Sequence, residues 1–236
     1  GRPQWRTIVG GSRNYLAALL KPIRDRVRLK CPVAAVRRAS AGVEIKTTTG
    51  DFETFDHIVF ATHADQTLRL LADATRQERE ILQAFPYQQN RAILHTDASF
   101  LPKRKRAWAS WNYHIPRDPT SAASITYDLS RLQNHATGSP LLLTLNDTRR
   151  LSPEHTMRSF TFHHPAYSQA AISAQLRYHE INGVGNTFYC GAYWGYGFHE
   201  DGVNSALAVA RQFGIGLEAC RVASTKATCL TAASGR

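Results

Sequence analysis

The residues best suited to chemistry run from 188 to 207: Phe188-Tyr189-Cys190-Gly191-Ala192-Tyr193-Trp194-Gly195-Tyr196-Gly197-Phe198-His199-Glu200-Asp201-Gly202-Val203-Asn204-Ser205-Ala206-Leu207. A short β-prone run meets a turn crowded with glycines and aromatics, and a helix with small residues on one side follows. Gly191, Gly195, Gly197 and Gly202 are more glycines than one turn requires. Such a turn lets backbone approach a flat aromatic ligand, and a helix N-terminus aims its positive end at an electron-rich edge. Glu200-Asp201-Gly202 reads as the helix opening, which predicts free backbone N–H groups at Gly202, Val203 and Asn204. A tight turn between a core strand and a packed helix would have the same composition, so both readings stand here. The usual first half of such a ligand site, a Gly-x-Gly-x-x-Gly turn after a strand, is absent from the sequence.

Other chemically capable residues are fewer. Trp108, Trp111, Tyr113 and Tyr127 could form an aromatic wall, with Asn112 and His114 interleaved and facing a cavity; aromatics of a sheet core are the plainer expectation. His63 reads as a helix-entry residue, and His163-His164 before Pro165 as the end of a strand. His199 is the one histidine placed for a chemical role, with cofactor contact ahead of proton transfer. No residue is assigned as catalytic. The cysteines, Cys31, Cys190, Cys220 and Cys229, show neither CxxC nor metal-ligand spacing. Cys31 and Cys190 sit in apolar, strand-like contexts and read as buried free thiols, which fits a reducing, cytoplasmic location and no metal site.

The 236 residues are 43% hydrophobic and 20% charged, enough for a substantial globular core. The formal net charge of +11 raises nucleic-acid binding. Its distribution argues against it: basic residues come in small groups at Arg24–Arg28, Arg37-Arg38, Lys103–Arg106 and Arg149-Arg150. The run at 103–106 reads as a solvated loop, and an anionic substrate or a membrane surface suits the charge better than nucleic acid. No stretch has the length and apolarity of a membrane span, and no signal peptide is visible. Met157 is the only methionine, so residue 1 is expected to be other than a translation start.

These residues need elements to hold them. Ser12 is a candidate N-cap for a helix with Tyr15, Leu16, Leu19, Leu20 and Ile23 on one face. Strands are expected from Val27 to Ala35, from Gly42 to Thr47 and from Phe52 to Ala61, the last ending in a buried run. Two short helices carry Leu68, Leu70 and Leu71, then Ile81, Leu82 and Phe85. From Arg91 to Leu145 the pattern is strand-rich, with strands at 92–95, 108–113, 124–127 and 141–145; Ser168 to Tyr178 reads as a helix. Val203, Ala206, Leu207, Ala210 and Phe213 define the apolar face of the final helix. Residues 220–236 have no usable period and are expected to form a mobile tail.

Taken together, Trp5 to Arg13, Leu29 to Val33, Asp56 to His63, Leu101-Pro102 with Trp108 to Tyr113, and Cys190 to Leu207 resemble FAD-dependent amine oxidase-like flavoproteins. The similarity is greatest to a bacterial subgroup described as NAD/FAD-binding proteins. It implies an α+β chain cut from an α/β parent fold, without the N-terminal βαβ unit that carries the phosphate-binding turn. A partial FAD-binding domain would come from both chain ends, residues 1–63 and 184–219, around an inserted substrate domain at 64–183. By resemblance, Val33 would contact the adenine, Ala61 and Thr62 the ADP portion, and Gly191 and Ala192 the pyrophosphate and ribityl chain. Phe198 and His199 would line the isoalloxazine, and the helix start at Gly202 and Val203 would face the flavin O2 edge. Trp111, Tyr113 and Tyr127 would stand on the substrate side. Related enzymes often carry an acidic residue where this chain has Ala192. The expected activity is hydride transfer from a small-molecule substrate to FAD; a flavin-dependent isomerase or mutase, or a fold remnant acting as a binding module, are the alternatives.

Overall fold

The computed structural model describes residues 6–118, 123–134 and 138–217. In chain order the elements are α1 (Arg13–Leu20), β1 (Val33–Ala39), β2 (Gly42–Thr47), β3 (Phe52–Phe55), β4 (Ile58–Phe60), α2 (Ala64–Leu70), α3 (Arg76–Gln83) and β5 (Tyr87–His95). They continue as β6 (Trp111–His114), β7 (Ser124–Asp128), α4 (Leu129–Leu132), β8 (Leu142–Leu145), β9 (Thr156–Pro165), α5 (Gln169–Leu176), β10 (Thr187–Tyr189) and α6 (His199–Gln212). This mixture is of the expected α+β kind. Two compact units divide it: 1–32 with 86–166, and 33–85 with 167 onward. The changeovers at 86 and 167 differ from the 64 and 184 read from the sequence, because α2, α3 and α5 pack in the second unit.

The first unit is built on an antiparallel sheet in the order β6-β7-β8-β5-β9. Its two faces differ in chemistry. Asn112, Thr126, Thr144 and His95 are all buried, and their side chains are linked: His95 Nε2 and Thr144 Oγ1 are 2.7 Å apart, Thr144 and Thr126 hydroxyls 2.8 Å. Burying these groups is tolerable only because each finds a partner. Over them lie Phe100 and Leu101, and Arg149 stacks 4.1 Å above the Phe100 ring. On the opposite face Trp111 pairs with Tyr127 and Tyr113 with Ile125. The helix α1 forms as its spacing predicts, but none of its residues is buried and Ser12 makes no side-chain cap.

The strand expected from Val27 to Ala35 is not there. Lys21–Arg26 is a 3-10 helix, Lys30 adopts a left-handed conformation (φ 56°), and β1 begins only after Pro32. Proline and a left-handed residue both interrupt extended pairing. Cys31 is correspondingly exposed, against the expectation of burial, whereas Cys190 is buried. Cys220, Cys229 and the expected tail lie outside the described residues.

In the second unit β1, β2 and β3 form an antiparallel meander, and β4 pairs in parallel with β10 through Ile58↔Thr187, Val59↔Phe188 and Phe60↔Tyr189. Phe60 is buried, but Val59 is half-exposed, so β4 is less enclosed than its apolar run suggests. A fully satisfied ion-pair cluster locks the unit. Arg38 reaches Glu78 Oε1 at 2.6 Å and Oε2 at 3.0 Å and also bonds Asp73. Glu78 further accepts from the Tyr189 hydroxyl at 2.5 Å and from Thr75 N–H at 2.6 Å, the latter part of a capping box opening α3. Burial penalises the Glu78 carboxylate, yet the bonds from Arg38, Tyr189 and Thr75 hold its pKa below the usual value. Burial, with the bond to the Glu78 carboxylate, drives the Tyr189 phenol far up.

Candidate functional site at the ends of two parallel strands

A parallel sheet offers its ligand site at the C-terminal ends of its strands, where chain leaves toward helices. Because Phe60 pairs with Tyr189, the residues that follow, Ala61-Thr62 and Cys190-Gly191, emerge side by side, and Cys190 N–H donates to the Phe60 carbonyl at 2.9 Å. Each exit leads into a helix: His63 caps α2, and α6 follows the 191–198 turn. Thr62 Oγ1 is tied to Thr67 Oγ1 at 2.7 Å within the first turns of α2.

Gly191 must be glycine. Its φ of 157° with ψ of 157° is a conformation side chains rarely adopt, and a Cβ there would lie 2.5 Å from the Tyr193 ring. Its N–H donates to Ser205 Oγ at 2.9 Å, and that hydroxyl in turn donates to the Gly202 carbonyl at 2.7 Å. This pair of bonds fastens the turn to α6 and explains why a serine is buried mid-helix. Gly202 faces Ala192 alone: an added Cβ would find only Ala192 atoms, at 3.9 Å. Ala61, Thr62, Gly191, Ala192 and Gly202 therefore form one small-residue floor.

The helix opening differs from its expected position. α6 starts at His199, and Gly202 N–H is already bonded to the Phe198 carbonyl at 3.2 Å. The first-turn N–H groups belong instead to His199, Glu200 and Asp201, so Gly202, Val203 and Asn204 do not present free donors. Asp201 folds back to accept from Tyr196 N–H at 3.0 Å and Phe198 N–H at 2.9 Å, which closes the glycine-aromatic turn. The apolar face of α6 is also turned around. Ser205 and Val209 are buried, Val209 with Phe188 and Cys190, while Val203 is half-exposed. Serine's hydrogen bonds to the turn decide which side faces inward, a pairing that hydrophobic spacing does not encode.

Phe198 and His199 stand exposed at the start of α6. Val33 lies in the meander, opposite Thr47. Behind α6 a recess of about 260 Å³ is lined by Gln175, Tyr178, Trp194, Asp201, Asn204 and Ser205 among others. Burial raises the Tyr178 phenol to about 12, and its hydroxyl donates to the Tyr189 carbonyl at 3.1 Å. Of the substrate-side residues, Trp111 and Tyr127 meet edge-to-face at 6.3 Å, and Trp111 and Tyr113 are 57% and 69% exposed rather than core aromatics. Asn112 points inward but bonds backbone at Ala109 and Thr126, and His114 is exposed, so neither lines a cavity. Among the described residues no group of three or more His, Cys, Asp or Glu is arranged to hold a metal ion.

A family model described as flavin containing amine oxidoreductase matches residues 1–157. The chain belongs to that family. The match ends before the glycine-aromatic turn, which the β4–β10 pairing, the Tyr189–Glu78 bond and the packing of Tyr193 and Trp194 on Phe85 tie to the matched part. Among solved structures, wild-type putrescine oxidase bound to putrescine is 12% identical with a TM-score of 0.59, over 88% of this chain and 54% of that one. A fatty acid isomerase from P. acnes is 15% identical with a TM-score of 0.52, over 78% and 48%. Reduced UDP-galactopyranose mutase is 13% identical with a TM-score of 0.52, over 77% and 46%. The chain thus spans about half the length of the solved proteins it resembles, and at these identities the likeness is one of fold. Comparison with curated proteins finds no match. No helix among the described residues is long and apolar enough to cross a membrane.

The family is flavin-dependent, and the floor described above suits a flavin. An added Gly202 side chain would meet only Ala192, at 3.9 Å, so a ligand could approach the α6 backbone there.

Proposed function

We propose that this chain supplies one wall of an FAD site in a flavin-dependent oxidoreductase that removes hydride from a C–H bond beside nitrogen or carbon. The observation that carries this is the parallel pairing of β4 with β10, which joins Ala61-Thr62 to Gly191-Ala192 on one small-residue floor. In this assignment Gly191 and Ala192 lie along the pyrophosphate and ribityl chain, Ala61 and Thr62 near the ADP portion, and Val33 at the adenine. Phe198, His199, Gly202 and Val203 surround the isoalloxazine.

Bound FAD would supply the two-electron acceptor, itself reoxidised by oxygen or another acceptor. The chain's own part is electrostatic and steric. The first turn of α6 directs its N–H groups and positive dipole end toward charge that gathers on an adjacent ring edge. Glu200 and Asp201 sit in the same turn, but the Asp201 carboxylate is engaged by the Tyr196 and Phe198 N–H groups. Phe198, 65% exposed, is free to cover a ligand edge and exclude water. Cys190 is buried and its thiol pushed up, so it is neither nucleophile nor base at neutral pH.

Titration of FAD into the purified chain tests this, followed by flavin fluorescence and the band near ~450 nm. Binding is expected, weak because the sequence has no Gly-x-Gly-x-x-Gly turn, and lost in Gly202→Val, whose side chain would stand on the open floor. Unchanged flavin signals at millimolar FAD would sink the proposal. Isomerase and mutase relatives share this fold; anaerobic bleaching by candidate substrates separates net oxidation from those reactions.

A further inference from the structure

The positive charge of this protein is not spread evenly. Among the described residues the first unit holds 17 Lys and Arg against six Asp and Glu, while the second holds eight against 11. Within the first unit the densest group is Lys103-Arg104-Lys105-Arg106, all exposed, with Lys105 5.9 Å over the Trp108 ring. Five residues after Arg106 begins β6, the edge strand of the five-stranded sheet. Its inward residue Asn112 is buried, and the alternate positions Trp111, Tyr113 and, just beyond the strand, Ile115 are 57%, 69% and 75% exposed. Arg117 follows, also exposed.

An outward row of Trp, Tyr and Ile on an edge strand is a liability in water, where edges are usually blunted by charge or covered. At a bilayer surface the same row is at home. Tryptophan and tyrosine favour the headgroup level, where an apolar ring meets a wet rim. The basic residues Lys103–Arg106, five to eight positions earlier in the chain, are drawn to anionic lipid. Single-stranded nucleic acid could use the same charges and stack on Trp111 and Tyr113, but the exposed aliphatic Ile115 adds apolar surface that base stacking does not use and a headgroup region does.

We propose that the edge formed by residues 103–117 docks on the surface of an anionic lipid bilayer, with Trp111, Tyr113 and Ile115 entering the headgroup region and Lys103–Arg106 meeting the phosphates. Docking requires no flavin, so it stands or falls apart from the function proposed above.

The test is co-flotation of the full chain with phosphatidylcholine vesicles, with and without phosphatidylglycerol. Binding is expected only to the anionic vesicles and should be abolished by ~0.5 M salt, which screens surface charge. Replacing Lys103, Arg104, Lys105 and Arg106 by glutamine should weaken binding about 100-fold or more. Trp111→Ser with Tyr113→Ser should abolish the quenching of tryptophan fluorescence by brominated acyl chains. These side chains are exposed, and circular dichroism verifies that the variants fold. Absence of flotation with anionic vesicles would overturn the proposal, as would full binding by both variants. Tighter binding to an oligonucleotide than to anionic vesicles would also overturn it, marking the edge as a nucleic-acid surface.

Discussion

Replacing Glu78 by glutamine tests whether the buried cluster holds the site strand in place. Glu78 is 2% exposed and accepts four hydrogen bonds, two from Arg38 and one each from Tyr189 and Thr75. Glutamine keeps a single acceptor oxygen and turns an NH₂ group toward donors, while Arg38 stays charged with Asp73 as its remaining partner. Breaking a buried pair from one side costs about 3–5 kcal/mol. With a urea dependence of about 2–3 kcal/mol per molar, the unfolding midpoint should fall by roughly 1–2 M. Tyr189→Phe removes only the hydroxyl and should cost about 1–2 kcal/mol. The double variant should be less destabilised than the two single effects added together. Because Tyr189 directly precedes Cys190-Gly191, the Glu78 variant should also weaken FAD binding. The sign with pH follows from the lowered carboxylate pKa. The stabilisation is complete above the unfolded value of about 4.3 and is lost as pH falls through the folded one. The gap between wild type and Glu78→Gln should therefore close in acid. A midpoint shift below about 0.3 M at neutral pH, the size of an ordinary surface substitution, would refute this account of the cluster.

Other outcomes follow from the same geometry. Gly191→Ala should lose about 2–4 kcal/mol, since strain at this backbone conformation adds to a clash with the Tyr193 ring; thermal unfolding measures it, and a neutral result would mean the turn relaxes freely. Asp147 is opposed by burial, but bonds from Arg149 and Ser124 lower it to about 2, so its contribution should vanish between about pH 4 and 2. Buried His95 is lowered chiefly by burial. Its neutral form is favoured by folding, so stability should begin to fall as pH drops below about 6.5, and His95→Gln should remove that early slope in an acid titration followed by circular dichroism.

Much of the scaffold was legible because its signals are local. The Gly50-Asp51 step and alternation placed the β2–β3 hairpin. Residues 61, 62, 191, 192 and 202 were named through the family resemblance, and the β4–β10 pairing brings 61–62 beside 190–191. What sequence could not supply were facts set by partners distant in the chain. Ser205 is buried because it bonds Gly191, which rotates α6 away from its apolar stripe. Arg38, Asp73, Glu78 and Tyr189 look unremarkable singly, and only the fold assembles them. The α6 start was misplaced by three residues because Asp201 caps backward to Phe198, a bond that leaves no mark beyond an acidic residue in the first turn.

The three-residue pairing between β4 and β10 also has a kinetic meaning. It is the contact that creates the floor, and it joins residues 129 positions apart, so its closure entropy must be met before the pairing returns any energy. Local hairpins and helices should form first, and the small-residue floor should be among the last parts of the second unit to organise. The floor would then be a late product of folding, present only once the chain on either side of it has already found its place.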